Sequence, residues 1–335
     1  MNDLSFWDAY PLPDELPAPV INDSALPLIS VVTPSYNQGR FIRATIESVL
    51  SQDYPNIEHW VIDGGSTDAT LAILREYAGD PRFHWLSEAD RGQADAVNKG
   101  WRRAQGEILG WLNSDDTYLP GALRAQAAAL MAHPDVGVVY GDTLFIDQHG
   151  RSQGRYHARP FDRQRFLHVS AIPQPSAFLR RSLVLRHSGL DPQLHYALDY
   201  ELFLRLMWEA RFLYTGVAVA TYRLHEASKT VGGHDKMLNE TIAVVRKICR
   251  QHPAELVGTM RRATSDWYWD GAIRSVESRA YRKALGYAAA ALREHPLRPR
   301  AATFALALFD SLFATHTAEW LVTKLDRRAH AQRRN

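Results

Sequence analysis

Two aspartates, Asp115 and Asp116, stand side by side where an apolar run gives out, in GEILGWLNSDDTYLPGAL. Adjacent carboxylates repel, and carboxylates are seldom buried without a partner, so a positive group belongs beside them. Hard oxygen donors select magnesium or manganese, ions that take one or two protein carboxylates and leave the other positions to substrate phosphates. The plainer alternative is that NSDD caps the helix after it, work that aspartate does well. Asp63, in VIDGGSTD, ends another apolar run. An acid there can hydrogen-bond a ribose or a base, or form a turn with Gly64 and Gly65. Asp199 opens DYELFLRLMWEA, where backbone N–H groups and the helix dipole keep a carboxylate ionised, as suits either a cap or a general base. His225, one of 14 histidines, is followed by Lys229 and preceded by Arg223. A neutral imidazole there could bind manganese and a charged one could pair with diphosphate; the bland form is a solvated basic loop.

Regular elements must hold these residues in position. LISVVT, IEHWVID, FHWL and EILGWL read as short buried strands, and the segments between them carry helical periodicity. RFIRATIESVLSQ follows the first strand. ATLAILREYA follows the second, with Ser66 or Thr67 as its N-cap, and QADAVNKGWRRA the third. After the fourth, Pro120 fits the first turn of GALRAQAAALMA. Strands alternating with helices through short loops predict a parallel sheet with right-handed crossovers. The polar loops TPSYN, DGGSTD, SEADRG and NSDD all follow strands, so they gather at the carboxyl edge, where open α/β sheets bind ligands. Beyond Asp135 the pattern changes. VGVVYGDTLFID and SQGRYH suggest antiparallel or edge strands around DQHG, and FLYTGVAVATYRLH a strand pair or one bent strand. From about His234 onward only helices are predicted, separated at HPAE and HPLRPR.

Composition narrows the functional classes. The 335 residues are 46% hydrophobic and 23% charged, as in an ordinary globular chain, and a net charge of +2 offers no global attraction for nucleic acid. A single cysteine, Cys249, excludes an internal disulfide framework and a multi-thiolate zinc site. The proline-rich, acidic start lacks the features of a signal peptide, and no stretch approaches the roughly 20 apolar residues of a spanning helix. A cytoplasmic protein is expected. TPSYNQG contains neither phosphate-binding glycine fingerprint, which argues against a dehydrogenase and a P-loop ATPase. If a diphosphate binds, a metal beside Asp116 must neutralise it. Trp85, Trp101, Trp111, Trp208, Trp267 and Trp269 lie within apolar periodicity and are assigned to packing.

ISVVTPSYNQGRFIRATIESVLSQDYPNIEHWVIDGGSTDAT resembles the opening of a family 2 glycosyltransferase of the GT-A fold. DRGQADAVNKGWRRAQGEILGWLNSDDTYLPGAL resembles the middle of that domain, with its acidic D-x-D-type motif. QPSAFLRRSLVLRHSGLDPQLHYALDYELFLRL is similar to the acceptor-side segment, and YRLHEASKT to the loop that closes the site. The likeness spans roughly residues 28 to 230. It implies a Rossmann-like, mostly parallel α/β sheet flanked by helices. It further implies that Thr33 and Pro34 border the base, that Asp63 lies near base or ribose, and that Arg91 and Asp95 line the donor pocket. Asp115 would face the ribose or sugar, Asp116 would coordinate Mn2+ or Mg2+ with His225 assisting, and Asp199 would be the catalytic base. Many members end the second strand in two aspartates, the second of which can contact uracil; here that position is Gly64.

The expected activity is inverting, metal-dependent transfer from a nucleoside-diphosphate sugar to a hydroxyl of a glycan or lipid-linked acceptor, in cell-surface polysaccharide synthesis. Alternatives are a sugar-phosphate nucleotidyltransferase, or a silent nucleotide-sugar or glycan-binding protein. The expected organisation is an irregular arm (1–26), a GT-A domain (27–232, donor half 27–134 and acceptor half 135–232), a helical C-terminal region (233–325) and a basic tail (326–335). That helical region could rest on the inner face of a membrane, dimerise, or pack on the catalytic domain, the last being favoured.

Overall fold

The computed structural model describes residues 26–226, 228, 233–256, 258–296 and 300–313. The arm up to residue 25, the basic tail and Lys229 lie outside them. The β-branched run expected at Leu28–Thr33 forms strand β1 (Ile29–Ser35), and the next three runs form β2 (Ile57–Asp63), β3 (Phe83–Ser87) and β4 (Ile108–Trp111). Helices α1 (Ile42–Leu50), α2 (Thr70–Glu76) and α3 (Gln93–Arg103) connect them. β1 pairs in parallel with β2 and β4, and β2 with β3. β1 outruns the apolar stretch because the Ser35 carbonyl still accepts the Gly64 N–H at 2.8 Å.

Adjacent β1 residues face opposite sides of the sheet. Val31 packs with Val49 of α1 in the main core, which also holds Ile29, Leu123 and Phe178. Val32 faces α3, and the approach is close: a Cβ at Gly100 would stand 2.3 Å from Val32 Cγ1. Gly100→Ala is therefore expected to destabilise the fold by about 1–3 kcal/mol through overpacking. That outweighs the roughly 1 kcal/mol that alanine gains in a helix, and urea unfolding measures the balance.

The second half of the sheet is mixed. After β5 (Thr117–Tyr118) and α4 (Ala122–Ala132) come β6 (Val136–Ile146), β7 (Ser152–Tyr156), α5 (Arg163–Phe166), β8 (Phe178–Arg180), α6 (Arg181–Arg186), α7 (Leu198–Leu206) and β9 (Arg211–Arg223). The strand order is β3-β2-β1-β4-β8-β6-β9-β5, with β7 beside β6. β8 lies antiparallel between β4 and β6, whereas β6 and β9 run parallel. FLYTGVAVATYR is one bent strand, its pairing with β6 shifting register near Gly216, whose φ is +74°.

Several local expectations are corrected. Pro120 stands ahead of the N-cap Gly121, outside the first turn of α4. Neither Ser66 nor Thr67 caps α2; Asp68 Oδ1 instead accepts the Thr70 N–H at 2.9 Å, while Ser66 bonds Asp63.

The described residues divide into two compact units, one up to Phe166 and again from Ser170 to the end of the described part before Gly233, the other comprising Leu167–Val169 and those from Gly233 onward. The second contains α8 (His234–Gln251), α9 (Thr259–Glu277), α10 (Tyr281–Glu294) and α11 (Arg300–Phe313). Its core is made of small residues, Ala272, Ala284, Ala288 and Ala291, around Trp269 and Phe304. Cys249 of α8 is buried, and burial pushes its thiol up to about 11, away from the thiolate form. No helix among the described residues is long and apolar enough to cross a membrane.

Candidate active site

Strand order reverses between β1 and β4, so a crevice opens where these neighbours part at their carboxyl ends. The last rung is the Leu112 N–H on the Val32 carbonyl, 3.1 Å. Pro34, two residues on and facing the same side, needs no partner there because it has no N–H. Thr33, the residue before it, also belongs to β1. Its side chain is buried, with Oγ1 2.9 Å from His59 Nε2. Burial pushes that histidine down to about 3, so the pair is neutral core structure. Thr33 can border the crevice only with its backbone.

Beyond β4, the NSDD turn separates its two carboxylates. Asp116 is 2% exposed, and its Oδ1 accepts the Arg223 N–H at 2.9 Å while Oδ2 takes Asn113 Nδ2 at 3.3 Å. Burial first, and then the charge of Asp115, pushes its carboxyl well above the usual range. Asp115 points the other way. Its Oδ2 lies 2.9 Å from His225 Nε2, with the two side chains 20% and 7% exposed. The loop carrying His225 is anchored by Arg223, whose Nε donates to the Asp115 carbonyl (2.7 Å) and whose guanidinium lies over Phe41. The His225 ring also packs on Phe41, at 4.9 Å between centroids. The two aspartates thus divide the expected work: Asp115 pairs with His225, and Asp116 braces the turn against β9.

Asp63 is fully buried, and its carboxylate is taken up inside its own loop. Oδ2 accepts from the N–H groups of Gly65 and Ser66 and from Ser87 Oγ at 3.1, 2.9 and 2.7 Å, and Oδ1 from Ser66 Oγ. The turn-forming alternative therefore describes its carboxylate, which is taken up by donors from its own loop and from Ser87. Asp95, at the start of α3, accepts from the Arg91 N–H at 3.2 Å and sits 3.5 Å from Lys99 Nζ. Burial raises its pKa, but the Arg91 hydrogen bonds and the Lys99 and Arg91 charges outweigh that and hold it below the ordinary value. The Arg91 side chain is 77% exposed and its guanidinium lies 3.4 Å from Asp95 Oδ1.

Asp199 occupies the first turn of α7. Helix-terminal stabilisation does not win there: burial pushes its carboxyl up to about 6, against the lowering effect of the Tyr200 and Asp199 N–H groups. The loop leading into α7 runs past the donor-side turns: a Cβ at Gly92 would stand 3.6 Å from His195 Nδ1.

Residue spacing passed over the polar hub that connects these parts. Asn113 Oδ1 accepts from Gln93 Nε2 (2.7 Å) and Trp111 Nε1 (3.0 Å), while its Nδ2 also serves Gln174 Oε1 at 3.1 Å. Asn113 heads the NSDD turn and Gln174 begins QPSAF. Amide side chains carry no charge pattern to single them out.

Residues 30–187 match the family described as Glycosyl transferase family 2. An uncharacterized glycosyltransferase of Mycobacterium tuberculosis is 35% identical over 189 residues, covering 54% of this chain and 70% of that protein. Chondroitin synthase of Escherichia coli is 28% identical over 228 residues, 65% of this chain but 33% of the synthase. Among solved structures, the mannosyltransferase of Pyrobaculum calidifontis in complex with GDP-Man and Mn2+ superposes with a TM-score of 0.59 at 22% identity, covering 96% of this chain and 90% of that one. The last likeness is one of fold.

Proposed function

The chain belongs to glycosyltransferase family 2, and on that premise we propose that it is an inverting, metal-dependent enzyme of polysaccharide synthesis. It moves a sugar from a nucleoside diphosphate to a hydroxyl of a glycan or lipid-linked acceptor. The observation that carries this reading is the Asp115–His225 pair, 2.9 Å apart at the switch point of the sheet. The GDP-Man and Mn2+ of the Pyrobaculum mannosyltransferase support the donor class and the ion, and chondroitin synthase supports the product class.

The donor set fits a divalent cation. Among the described residues no three His, Cys, Asp or Glu side chains converge on one point. One carboxylate and one imidazole suffice, however, for magnesium or manganese when ligand phosphates supply the other oxygens. Asp115 and His225 would hold the ion, which when bound supplies Lewis-acid stabilisation to the departing diphosphate.

This chain's own residues do the rest. Arg91 and the α3 turn hold the donor. Asp199 Oδ accepts the proton of the acceptor hydroxyl as its oxygen attacks the anomeric carbon from the face opposite the diphosphate. The new C–O bond forms as the C–O bond to phosphate breaks, so the anomeric configuration inverts. A carboxyl poised near 6 is ionised at neutral pH yet basic enough to take the proton.

Thermal unfolding against UDP-, GDP-, dTDP- and CMP-linked sugars, each with and without Mn2+, tests the proposal. A donor at 100 times its Kd should stabilise the fold by about 2.7 kcal/mol, and only with the ion present. No shift with any of them would overturn the donor-site reading.

A further inference from the structure

We infer that Asp90 is the residue that selects the base of the nucleotide, by accepting a hydrogen bond from a ring N–H; this rests on the donor-site reading above. Gly64 and Gly65 follow β2, and only Gly65, at φ +86°, needs glycine for its backbone. Gly64 has no positive φ, yet a Cβ there would stand 2.6 Å from Asp90 Oδ2. The missing side chain is explained by the Asp90 carboxylate, which fills the space that residue 64 leaves open.

The carboxylate is held there. The loops after β2 and β3 are clamped by the Glu88 N–H on the Asp63 carbonyl, 3.0 Å, and by Ser87 Oγ on Asp63 Oδ2, 2.7 Å. Asp90 Oδ1 accepts the Gly92 N–H at 2.8 Å and so forms the turn into α3. Oδ2 has no hydrogen-bond partner among the described residues, and the residue is half-buried. Its acidic neighbours are all committed: Asp63 inside its loop, Glu88 to Lys99 at 2.9 Å, and Asp95 to Arg91 and Lys99.

Position indicates what Oδ2 would meet. The Asp115–His225 pair, where the diphosphate belongs, lies past β4, and Asp90 stands over the end of β2, two strands away in the order β2-β1-β4. Two strand spacings are roughly 10 Å, about the reach from a diphosphate across the ribose to the base. An unpaired carboxylate oxygen only accepts, and it repels phosphate. Uracil offers it N3–H, and guanine offers N1–H with the adjacent amino group. The corresponding ring nitrogens of cytosine and adenine are acceptors and would be repelled.

The Kd values of UDP, CDP, GDP and ADP, measured calorimetrically on the full chain with Mn2+, test this. UDP should bind tighter than CDP, or GDP tighter than ADP, by about 10- to 100-fold, the range for hydrogen bonds to a charged group. Asp90→Asn keeps an acceptor for the Gly92 N–H while turning a donor toward the base, so the preferred ratio should fall at least about tenfold. Gly64→Ala, whose Cβ displaces the carboxylate, should lower the same ratio. Equal binding of the pairs, a ratio unchanged in either variant, or uniform weakening of all four nucleotides (the mark of a ribose contact or a disturbed loop) would each overturn the assignment of Asp90. No binding of any nucleotide would overturn the donor site itself, and this inference with it.

Discussion

Asp199→Asn is expected to lose about a thousandfold in transfer rate and, above pH 6, to be more stable than the unaltered protein. The two effects share one cause. Burial raises the Asp199 carboxyl to about 6, whereas an unfolded aspartate titrates near 3.9, roughly. The folded state therefore holds the proton more tightly. Its favourable contribution is fully present below about pH 4 and is lost as pH climbs through 6. At pH 8 the residue is an ionised carboxylate in a poorly solvated place, which costs up to about 3 kcal/mol. Asparagine has no charge to bury, so its melting temperature should exceed that of the unaltered chain at pH 8 and match it at pH 4. The same titration governs catalysis: kcat/KM should rise with pH through an inflection near 6, the base form being the active one. Transfer within tenfold of normal in Asp199→Asn, or a flat profile from pH 5 to 7, would remove Asp199 from the role of base.

The parallel half of the sheet was legible because its signals are local. β1 to β4 are β-branched or aromatic runs followed by polar turns, and their order of appearance implies crossovers on one edge. The mixed half was less so. β5 is only Thr117–Tyr118, held by Thr221 and Ala220 more than 100 positions away, with the Thr117 and Thr221 hydroxyls 2.7 Å apart. No window of sequence contains that partnership. In the site, residue type indicates where a side chain stands but not what it bonds. Asp63 does lie at the end of β2, yet what decides its work is three donors from its own loop and one from Ser87. Thr33 ends an apolar run at the crevice, but strand alternation sends its hydroxyl to His59. Asp90 had no signal at all, because its meaning depends on the space that Gly64 vacates on another strand.

The adjacent aspartates should separate cleanly on mutation. Asp115→Asn is expected to abolish the Mn2+-dependent stabilisation by nucleotide and to slow transfer by about a hundredfold or more, since Lewis-acid assistance is worth several kcal/mol. Its stability without ligand should barely change, because the Asp115 side chain is partly exposed and its carboxylate meets His225, while the Arg223 contact is to the backbone carbonyl that asparagine keeps. Asp116 behaves in the opposite way. Replacing it with alanine strips the Arg223 N–H and Asn113 of a buried acceptor, and an orphaned donor of that kind costs about 1–3 kcal/mol. Asp116→Asn keeps an oxygen for Arg223 and removes the repulsion from Asp115 that helps to raise its pKa. That variant gives up the long Asn113 contact, so it should be less affected than the alanine variant and keep Mn2+-dependent nucleotide binding within a few fold. Conservation of charge distinguishes the cases: a metal ligand does not tolerate the amide, whereas a brace does. If Asp116→Asn instead lost the ion-dependent shift while Asp115→Asn retained it, the ion would belong to Asp116, and the 2.9 Å contact between Asp115 and His225 would be a structural pair. His225→Ala adds a second vote, because it should follow Asp115→Asn in losing the response to Mn2+ without following Asp116→Ala in losing stability.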